Sequence, residues 1–260
     1  MKTGICSITF RALSVKEVAQ LVQQARLDAI EWGGDVHVPH GSLNAAEEAR
    51  KITADCGLEV SSYGSYFSPL DSEGQHEDFQ PILDVAQALG APAIRMWAGR
   101  HGSDALDVEY RNELIETTWQ VAETAAKQNI KVAFEFHADT LTDTNESAVK
   151  LYQEVNHFNL YAYWQPPYWR NNLEYRIDGL RQLQDRLLNV HVFQWDFSAN
   201  ENASWSDRID RRPLQEGAEE WKHYFNAVHS RDRYALLEFV RHDRSDHFLQ
   251  DAEVLKSWLG

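Results

Sequence analysis

Short apolar runs alternate along the chain with longer segments in which apolar residues recur at helical spacing. In the run at 131–137, apolar side chains alternate with charged or small ones at the two-residue period of a strand. Eight such runs are predicted strands, at 4–10, 29–32, 59–66, 93–98, 131–137, 160–165, 189–195 and 235–240. The segments between them are predicted helices, at 15–26, 45–56, 79–89, 107–128, 146–155, 173–186, 216–230 and 246–259. Ser14 and Glu17 form a capping-box pattern at the first helix, and Gly57 follows the end of the second.

This alternation predicts the fold class. Strands that alternate strictly with helices form a parallel sheet, and eight such units predict closure into an α/β (β/α)8 TIM barrel. An open doubly wound sheet is the alternative. No G-x-G-x-x-G pattern follows the first run, which leads directly into a helix cap, so a dinucleotide-binding Rossmann domain is disfavoured. Because the chain shows no linker, repeat or low-complexity tract, we expect a single barrel domain over 1–260.

Composition and charge narrow the class of protein. The chain has 260 residues, 43% of them hydrophobic and 25% charged, as in ordinary globular proteins. Its net charge of −15 opposes nonspecific binding to nucleic acid or to an anionic membrane. Its start lacks the apolar core of a signal peptide, and its two cysteines are too few for a disulfide framework. We therefore expect a cytoplasmic protein.

Polar residues occupy the ends of the last four predicted strands, the edge at which such barrels place their chemistry. These residues are Glu135 and His137, then Gln165, His191 and Glu238. Any one of them could be a satisfied core residue, but four consecutive strands with polar residues at matching depth indicate a site. Two carboxylates that face each other in a low-dielectric cavity repel, so a cation between them is the simplest remedy. Oxygen-rich ligands with one imidazole predict one divalent metal ion, Mn²⁺ before Mg²⁺, Co²⁺ or Zn²⁺.

Seven segments carry a resemblance to a known family. They are SITFR (7–11), IEWGGDVHVPHG (30–41), IRMWAG (94–99), FEFHADTLTDT (134–144), NVHVF (189–193), RRPLQEG (211–217) and LLEF (236–239). In these segments the chain resembles the xylose-isomerase-like TIM barrels. That family includes sugar-phosphate isomerases and epimerases, inosose dehydratases and dehydroshikimate dehydratases. The resemblance covers essentially the whole chain.

The resemblance implies a set of metal ligands. Family members bind one divalent cation through Glu, Asp, His and Glu on the last four strands, and Glu135, His191 and Glu238 match three of these. Gln165 stands at the position of the aspartate. Its amide oxygen can still ligate, but the site loses one negative charge. Endonuclease IV shares this barrel but needs additional His and Asp ligands that the sixth predicted strand lacks, so that function is rejected.

Other residues are predicted to contact the substrate. His40 follows the second strand, where the family places groups that touch the substrate. Arg95 lies inside an apolar strand and needs a partner, either a substrate oxygen or a ligand glutamate. Trp97 is a candidate for the cavity wall. His137 is the best candidate for a second acid or base, or for a substrate hydrogen-bond donor.

The segment between the last two strands is longer than an ordinary connection. Its excess falls in the polar stretch 195–217, which we interpret as a lid or substrate clamp. Arg211 and Arg212 lie in it, and Arg212 is the one we predict to reach the substrate.

Three functions are compatible with these residues. The preferred prediction is a metal-dependent isomerase or epimerase of a sugar or keto-sugar, in which Glu135 and Glu238 move a proton through a metal-stabilised enediolate. The alternative is a metal-dependent lyase that dehydrates a cyclic keto-polyol such as dehydroshikimate or an inosose. A second alternative is a non-catalytic subunit that binds a metal or a sugar. The expected partner is a small carbohydrate or keto-polyol, and a homo-oligomer is left open.

Overall fold

Eight parallel strands close into a barrel, as predicted. The structure is a computed structural model that describes residues 1–105, 108–198, 204 and 206–260. The barrel strands are β1 (Lys2–Cys6), β2 (Ala29–Gly33), β3 (Glu59–Gly64), β4 (Ala93–Met96), β5 (Lys131–Glu135), β6 (Leu160–Trp164), β7 (Leu187–Val192) and β10 (Tyr234–Leu237). Each strand pairs in parallel with its neighbours in the chain, and β10 closes the ring against β1.

A helix follows each barrel strand and covers the outside of the barrel. The helices are α1 (Val15–Ala25), α2 (Leu43–Asp55), α3 (Gln80–Leu89), α4 (Val108–Ala126), α5 (Asn145–Val155), α6 (Leu173–Gln182), α7 (Ala218–Ala227) and α8 (Ser245–Leu259). The apolar core lies mainly between helices and strands. Among the described residues, no helix is both long enough and apolar enough to span a bilayer.

Every barrel strand except β2 ends earlier than the sequence pattern predicts. The run predicted at 4–10 stops being a strand at Cys6, and Ser7–Phe10 form a short 3-10 helix. Strand β7 ends at Val192 rather than at 195. The apolar residues continue beyond the last hydrogen bond between strands, because the loops at this end of the barrel are themselves buried. As a result Glu135 is the last residue of its strand, and Gln165 and Glu238 stand one residue beyond theirs.

The long segment after β7 contains a small hairpin. Strands β8 (Trp195–Phe197) and β9 (Ile209–Arg211) pair antiparallel, at the end of the barrel where β7 finishes. Of the predicted lid at 195–217, residues 199–203 and 205 lie outside the described residues. The chain leaving the hairpin is fastened to α8, because the Leu214 N–H donates to Asp251 Oδ1 at 2.9 Å.

Asp251 gives a testable pH dependence. It is only 6% exposed, and this burial raises the pKa of its carboxyl to about 6, against the opposing effect of the Leu214 N–H. Because the folded pKa lies above the unfolded value, the folded state holds the proton more tightly. Its stabilising contribution is therefore complete below about pH 4 and is lost as the pH rises to about 6. We expect Asp251→Asn, which keeps the acceptor for Leu214, to be more stable than wild type at pH 7 by about 2–3 kcal/mol.

Urea unfolding of both proteins at several pH values measures this difference. The gap between Asp251→Asn and wild type should grow from about pH 4 to about pH 6 and then stay constant. Asp178→Asn on the exposed face of α6 is the control and should show little change at any pH. A gap that is the same at pH 4 and pH 7 would show that the Asp251 carboxyl does not titrate in this range.

Candidate active site

The carboxyl ends of β5, β7 and β10 bring together, inside the barrel, three side chains that could ligate a metal ion. His191 Nδ1 lies 3.3 Å from Glu135 Oε1 and 3.4 Å from Glu238 Oε2. One ligand atom from each of the three residues lies within 4.8 Å of the others, and all three side chains are buried. We call this group the carboxylate site. The structure thus places these three predicted ligands in one cluster.

A buried chain of charges holds Glu135 in place. Arg95 of β4 donates from Nη1 to Glu135 Oε2 at 2.5 Å and from Nε to Glu31 Oε1 at 2.8 Å. Trp97 Nε1 donates to the same Glu135 oxygen at 3.0 Å. Glu31 in turn accepts from Ser62 Oγ through its Oε2 atom at 2.8 Å. Because Oε2 of Glu135 is taken by two donors, Oε1 is the oxygen that faces His191.

The electrostatics of this cluster favour additional positive charge. Burial alone would raise the pKa of Glu31 and of Glu135. Arg95 and His191 outweigh burial, lowering the pKa of Glu31 to about 2 and that of Glu135 well below its usual range. Burial would likewise lower the pKa of His191, but nearby Cys6 and Glu238 raise it well above its usual value. The pocket therefore stabilises a positive charge at the position of the imidazole.

A divalent ion fits the residues that are present. The cluster contains three carboxylates, those of Glu31, Glu135 and Glu238, but one guanidinium, which pairs with Glu31 and Glu135, so a doubly charged ion would balance the remaining charge. Neither ring nitrogen of His191 has a hydrogen-bond partner in the described part of the chain, although the residue is fully buried. A buried imidazole without partners is costly, and a metal ion would satisfy one of its nitrogens.

Gln165, the departure from the family pattern, lies beside this group. Its Nε2 atom donates to the Phe136 carbonyl at 2.8 Å and lies 3.4 Å from Glu135 Oε1. With the amide nitrogen held by the backbone, the amide oxygen is the atom left to act as a ligand. Its role in metal binding remains a prediction.

His137 is placed next to the carboxylate site by a stacked pair of rings. Its imidazole stacks on Trp97 with ring centroids 4.9 Å apart and an angle of 26° between the planes, and Trp97 also donates to Glu135. His137 Nδ1 is 2.7 Å from the Ala138 carbonyl oxygen, which can only accept. In the neutral imidazole the proton is therefore on Nδ1, and Nε2 carries the lone pair. This tautomer is the one a general base needs.

Two other predicted substrate contacts already have partners in the protein. His40 Nε2 donates to the Ser65 carbonyl at 2.6 Å. The Arg212 guanidinium, 39% exposed, pairs with Glu216 at 2.9 Å and with Asp210 at 3.2 Å. Contact of either side chain with a substrate remains a prediction, and it would require these partners to be shared or released.

Arg211 of the hairpin contacts the residue that follows Glu238. The Arg211 guanidinium lies 4.5 Å from the centre of the Phe239 ring and pairs with Asp243 at 2.5 Å. Phe239 directly follows Glu238 and has a φ of 50°, a conformation that large side chains rarely adopt. Its N–H donates to Thr9 Oγ1 at 3.0 Å. The hairpin thus packs on a strained residue next to a predicted ligand.

The sequence analysis missed several members of the buried cluster. Glu31 lies within AIEWG, an apolar strand, so the signal that identified Glu135 was present there as well. Ser62 carries no such signal, yet its Oγ atom donates to Glu31 Oε2 at 2.8 Å and accepts from Tyr163 at 2.7 Å. Cys6 also belongs to this cluster, because its Sγ atom and one ligand atom each of Glu31 and His191 all lie within 4.8 Å of one another.

Residues 19–258 match the family described as the xylose isomerase-like TIM barrel. The chain belongs to this family. The match and the closed eight-stranded barrel confirm the predicted family and fold.

Over nearly its full length the chain is similar to a dehydratase, and it shares its fold with an epimerase. The chain is 26% identical to 3-dehydroshikimate dehydratase of Bacillus anthracis, over 98% of this chain and 96% of that protein. It superposes with a TM-score of 0.82 and 25% identity on the crystal structure described as the probable 3-DHS dehydratase AsbF of Bacillus anthracis, covering 98% of this chain and 99% of the other. D-allulose 3-epimerase of Methylomonas sp. shares the fold, with a TM-score of 0.71 at 15% identity over 99% and 98% of the two chains.

Proposed function

We propose that this protein is a metal-dependent dehydratase of a small cyclic keto-polyol of the dehydroshikimate type. The observation that carries the proposal is the full-length similarity to a 3-dehydroshikimate dehydratase, at an identity well above that to the epimerase. The preferred prediction from sequence, an isomerase or epimerase, is therefore less well supported than its dehydratase alternative.

The carboxylate site would hold the divalent ion. Glu135 Oε1, His191 Nδ1 and Glu238 Oε2 are the donor atoms that face one another, and the Gln165 amide oxygen is a candidate fourth ligand. When bound, the ion would polarise the substrate carbonyl and so acidify the neighbouring C–H bond. Two carboxylates and an imidazole are a donor set that suits Mn²⁺, with Mg²⁺, Co²⁺ and Zn²⁺ as alternatives.

His137 is the residue best placed to move the proton. Its Nε2 lone pair is free to take the proton from the carbon next to the carbonyl. The hydroxyl on the following carbon then leaves, and a carbon–carbon double bond forms. The departing hydroxyl needs one proton to become water, and the base has taken one proton from the carbon. The dehydration therefore balances without an oxidant or any other reagent.

The contacts of Glu135 argue against the two-carboxylate exchange of the epimerase hypothesis. An epimerase needs a base on one face of the carbon and an acid on the other. Because Glu135 Oε2 accepts from both Arg95 and Trp97, its negative charge is stabilised and the carboxylate is a weak base. One histidine base next to a fixed ligand suits an elimination better.

Product analysis tests the proposal. Protein loaded with Mn²⁺ is incubated in D₂O with 3-dehydroshikimate, an inosose and several ketoses, and products are followed by NMR. We expect loss of water and an unsaturated product from a cyclic keto-polyol. A product that keeps its hydroxyl, carries deuterium at the α carbon and has the opposite configuration there would instead establish an epimerase. Absence of any exchange or product with every substrate would favour the non-catalytic binding subunit.

Gln165→Asp tests the composition of the carboxylate site. It restores the third carboxylate of the family pattern, so Mn²⁺ should bind more tightly than to wild type. Without metal, the new carboxylate loses the bond to the Phe136 carbonyl and faces Glu135, so the variant should melt at a lower temperature. Calorimetric Mn²⁺ titration together with thermal melts in chelator measures both effects.

The matched control is Gln184→Asp, since the side chain of Gln184 bonds backbone groups far from the site. It should leave Mn²⁺ affinity unchanged whatever it does to stability. If Gln165→Asp lowers the melting temperature but leaves the affinity as it was, Gln165 does not belong to the metal shell.

A further inference from the structure

The second ring nitrogen of His191 faces another set of donor atoms, below the carboxylate site. His191 Nε2 lies 3.7 Å from Glu31 Oε1, and with Cys6 Sγ these ligand atoms all lie within 4.8 Å of one another. Each of the three residues is at most 1% exposed. Nε2 has no hydrogen-bond partner within the ranges that the structure describes. An unpartnered, fully buried nitrogen next to a thiol and a carboxylate points to a missing ligand.

The register of the barrel strands places these potential ligands next to one another. Cys6 ends β1 and stands opposite Glu31 of β2 in the parallel ladder. Glu31 is held from both sides, by Arg95 Nε at 2.8 Å on Oε1 and by Ser62 Oγ at 2.8 Å on Oε2. A carboxylate oxygen has two lone pairs, so Oε1 can accept from Arg95 and still bind an ion. Cys6 forms no disulfide.

We propose that Cys6, Glu31 and His191 Nε2 form a binding site for a thiophilic divalent ion such as Zn²⁺, Co²⁺ or Cd²⁺. We call it the thiol site. Sulfur and imidazole ligands suit these ions, whereas the oxygen-rich carboxylate site suits Mn²⁺ or Mg²⁺. On binding, a bond forms between the ion and Cys6 Sγ, and the thiol proton passes to the buffer. No electron is transferred. The proposal does not depend on the proposed dehydratase function.

While the shared imidazole of His191 stays neutral, it can ligate an ion at one of the two sites but not at both at once. A neutral imidazole has one lone pair and one N–H. When Nε2 binds an ion at the thiol site, the proton is on Nδ1, which lies 3.3 Å from Glu135 Oε1 and 3.4 Å from Glu238 Oε2. When Nδ1 binds an ion at the carboxylate site, Nε2–H faces Glu31. A thiophilic ion should therefore displace Mn²⁺, and excess Mn²⁺ should displace the thiophilic ion.

Cobalt titration of the full-length, chelator-treated protein tests the thiol site. Co²⁺ should produce a thiolate-to-metal charge-transfer band in the near ultraviolet. Cys6→Ser should abolish this band, while Cys56→Ser should retain it, because Cys56 lies at the end of α2 with its carbonyl bonded to Gln23. Excess Mn²⁺ should weaken the band in wild type.

X-ray absorption at the zinc edge of the wild-type protein gives a test that does not require a variant to fold. One sulfur at about 2.3 Å from zinc is expected. A zinc shell of nitrogen and oxygen only, or a cobalt band that persists in Cys6→Ser, would overturn the thiol site. A band that excess Mn²⁺ leaves unchanged would overturn the exclusion between the two sites. Failure of dehydratase activity would leave the sulfur signal as it is, so the two proposals fail separately.

Discussion

Replacing His137 by asparagine is expected to lower the turnover number by about 10²–10⁴-fold while Mn²⁺ still binds with wild-type affinity. Asparagine can keep the donation to the Ala138 carbonyl that Nδ1 makes now. It has no counterpart of Nε2, so it removes the lone pair that takes the proton. KM should change little, because the ligand atoms of the carboxylate site are untouched. Steady-state kinetics with the substrate identified by product analysis measures the effect.

Solvent exchange separates this role from simple substrate contact. In D₂O, His137→Asn should lose α-deuterium incorporation in parallel with turnover, whereas a lost binding contact would raise KM and leave exchange intact at saturation. His223→Asn, on the exposed face of α7, is the matched control and should behave as wild type. If His137→Asn exchanges the α proton at the wild-type rate, the base is another residue, and Glu238 becomes the first to test.

The architecture was predictable because it depends on a repeated local pattern. Strict alternation of apolar runs and amphipathic segments predicted all eight barrel strands and the helices between them. The β8–β9 hairpin was missed because its strands are only three residues long and lie in a polar segment. A period of two cannot be recognised over three residues.

The site was predictable only in part. Glu135, His191 and Glu238 stood out as polar residues at the ends of apolar strands, and the barrel brings them together. The pairing of Arg95 with Glu31 could not be predicted, since it connects β4 to β2 across an intervening strand. Such contacts depend on barrel register and on side-chain length, and neither is encoded in a local pattern.

Arg95→Met is expected to lower the free energy of unfolding by about 3–5 kcal/mol in the absence of metal. Arg95 is 1% exposed and is the common partner of Glu31 and Glu135. Methionine keeps much of the side-chain bulk. The lost stability therefore measures the cost of leaving two buried carboxylates without the guanidinium. Arg111→Met is the control, since its pair with Glu154 lies near the surface and should contribute about 0–1 kcal/mol. Urea unfolding of both variants in chelator measures these values.

Unfolding with added Mn²⁺ then shows whether Glu135, besides pairing with Arg95, also ligates the metal. If Glu135 is a ligand, Mn²⁺ binds the folded state and should restore about 2.7 kcal/mol to Arg95→Met at a hundredfold excess over Kd. Losing Arg95 also removes one of the two donors to Glu135 Oε2 and a nearby positive charge, so the ion should bind this variant at least as tightly as wild type. Arg95→Met that is as stable as Arg111→Met would refute the buried charge pairing. A large loss that Mn²⁺ does not reverse would keep the pairing and remove Glu135 from the metal site.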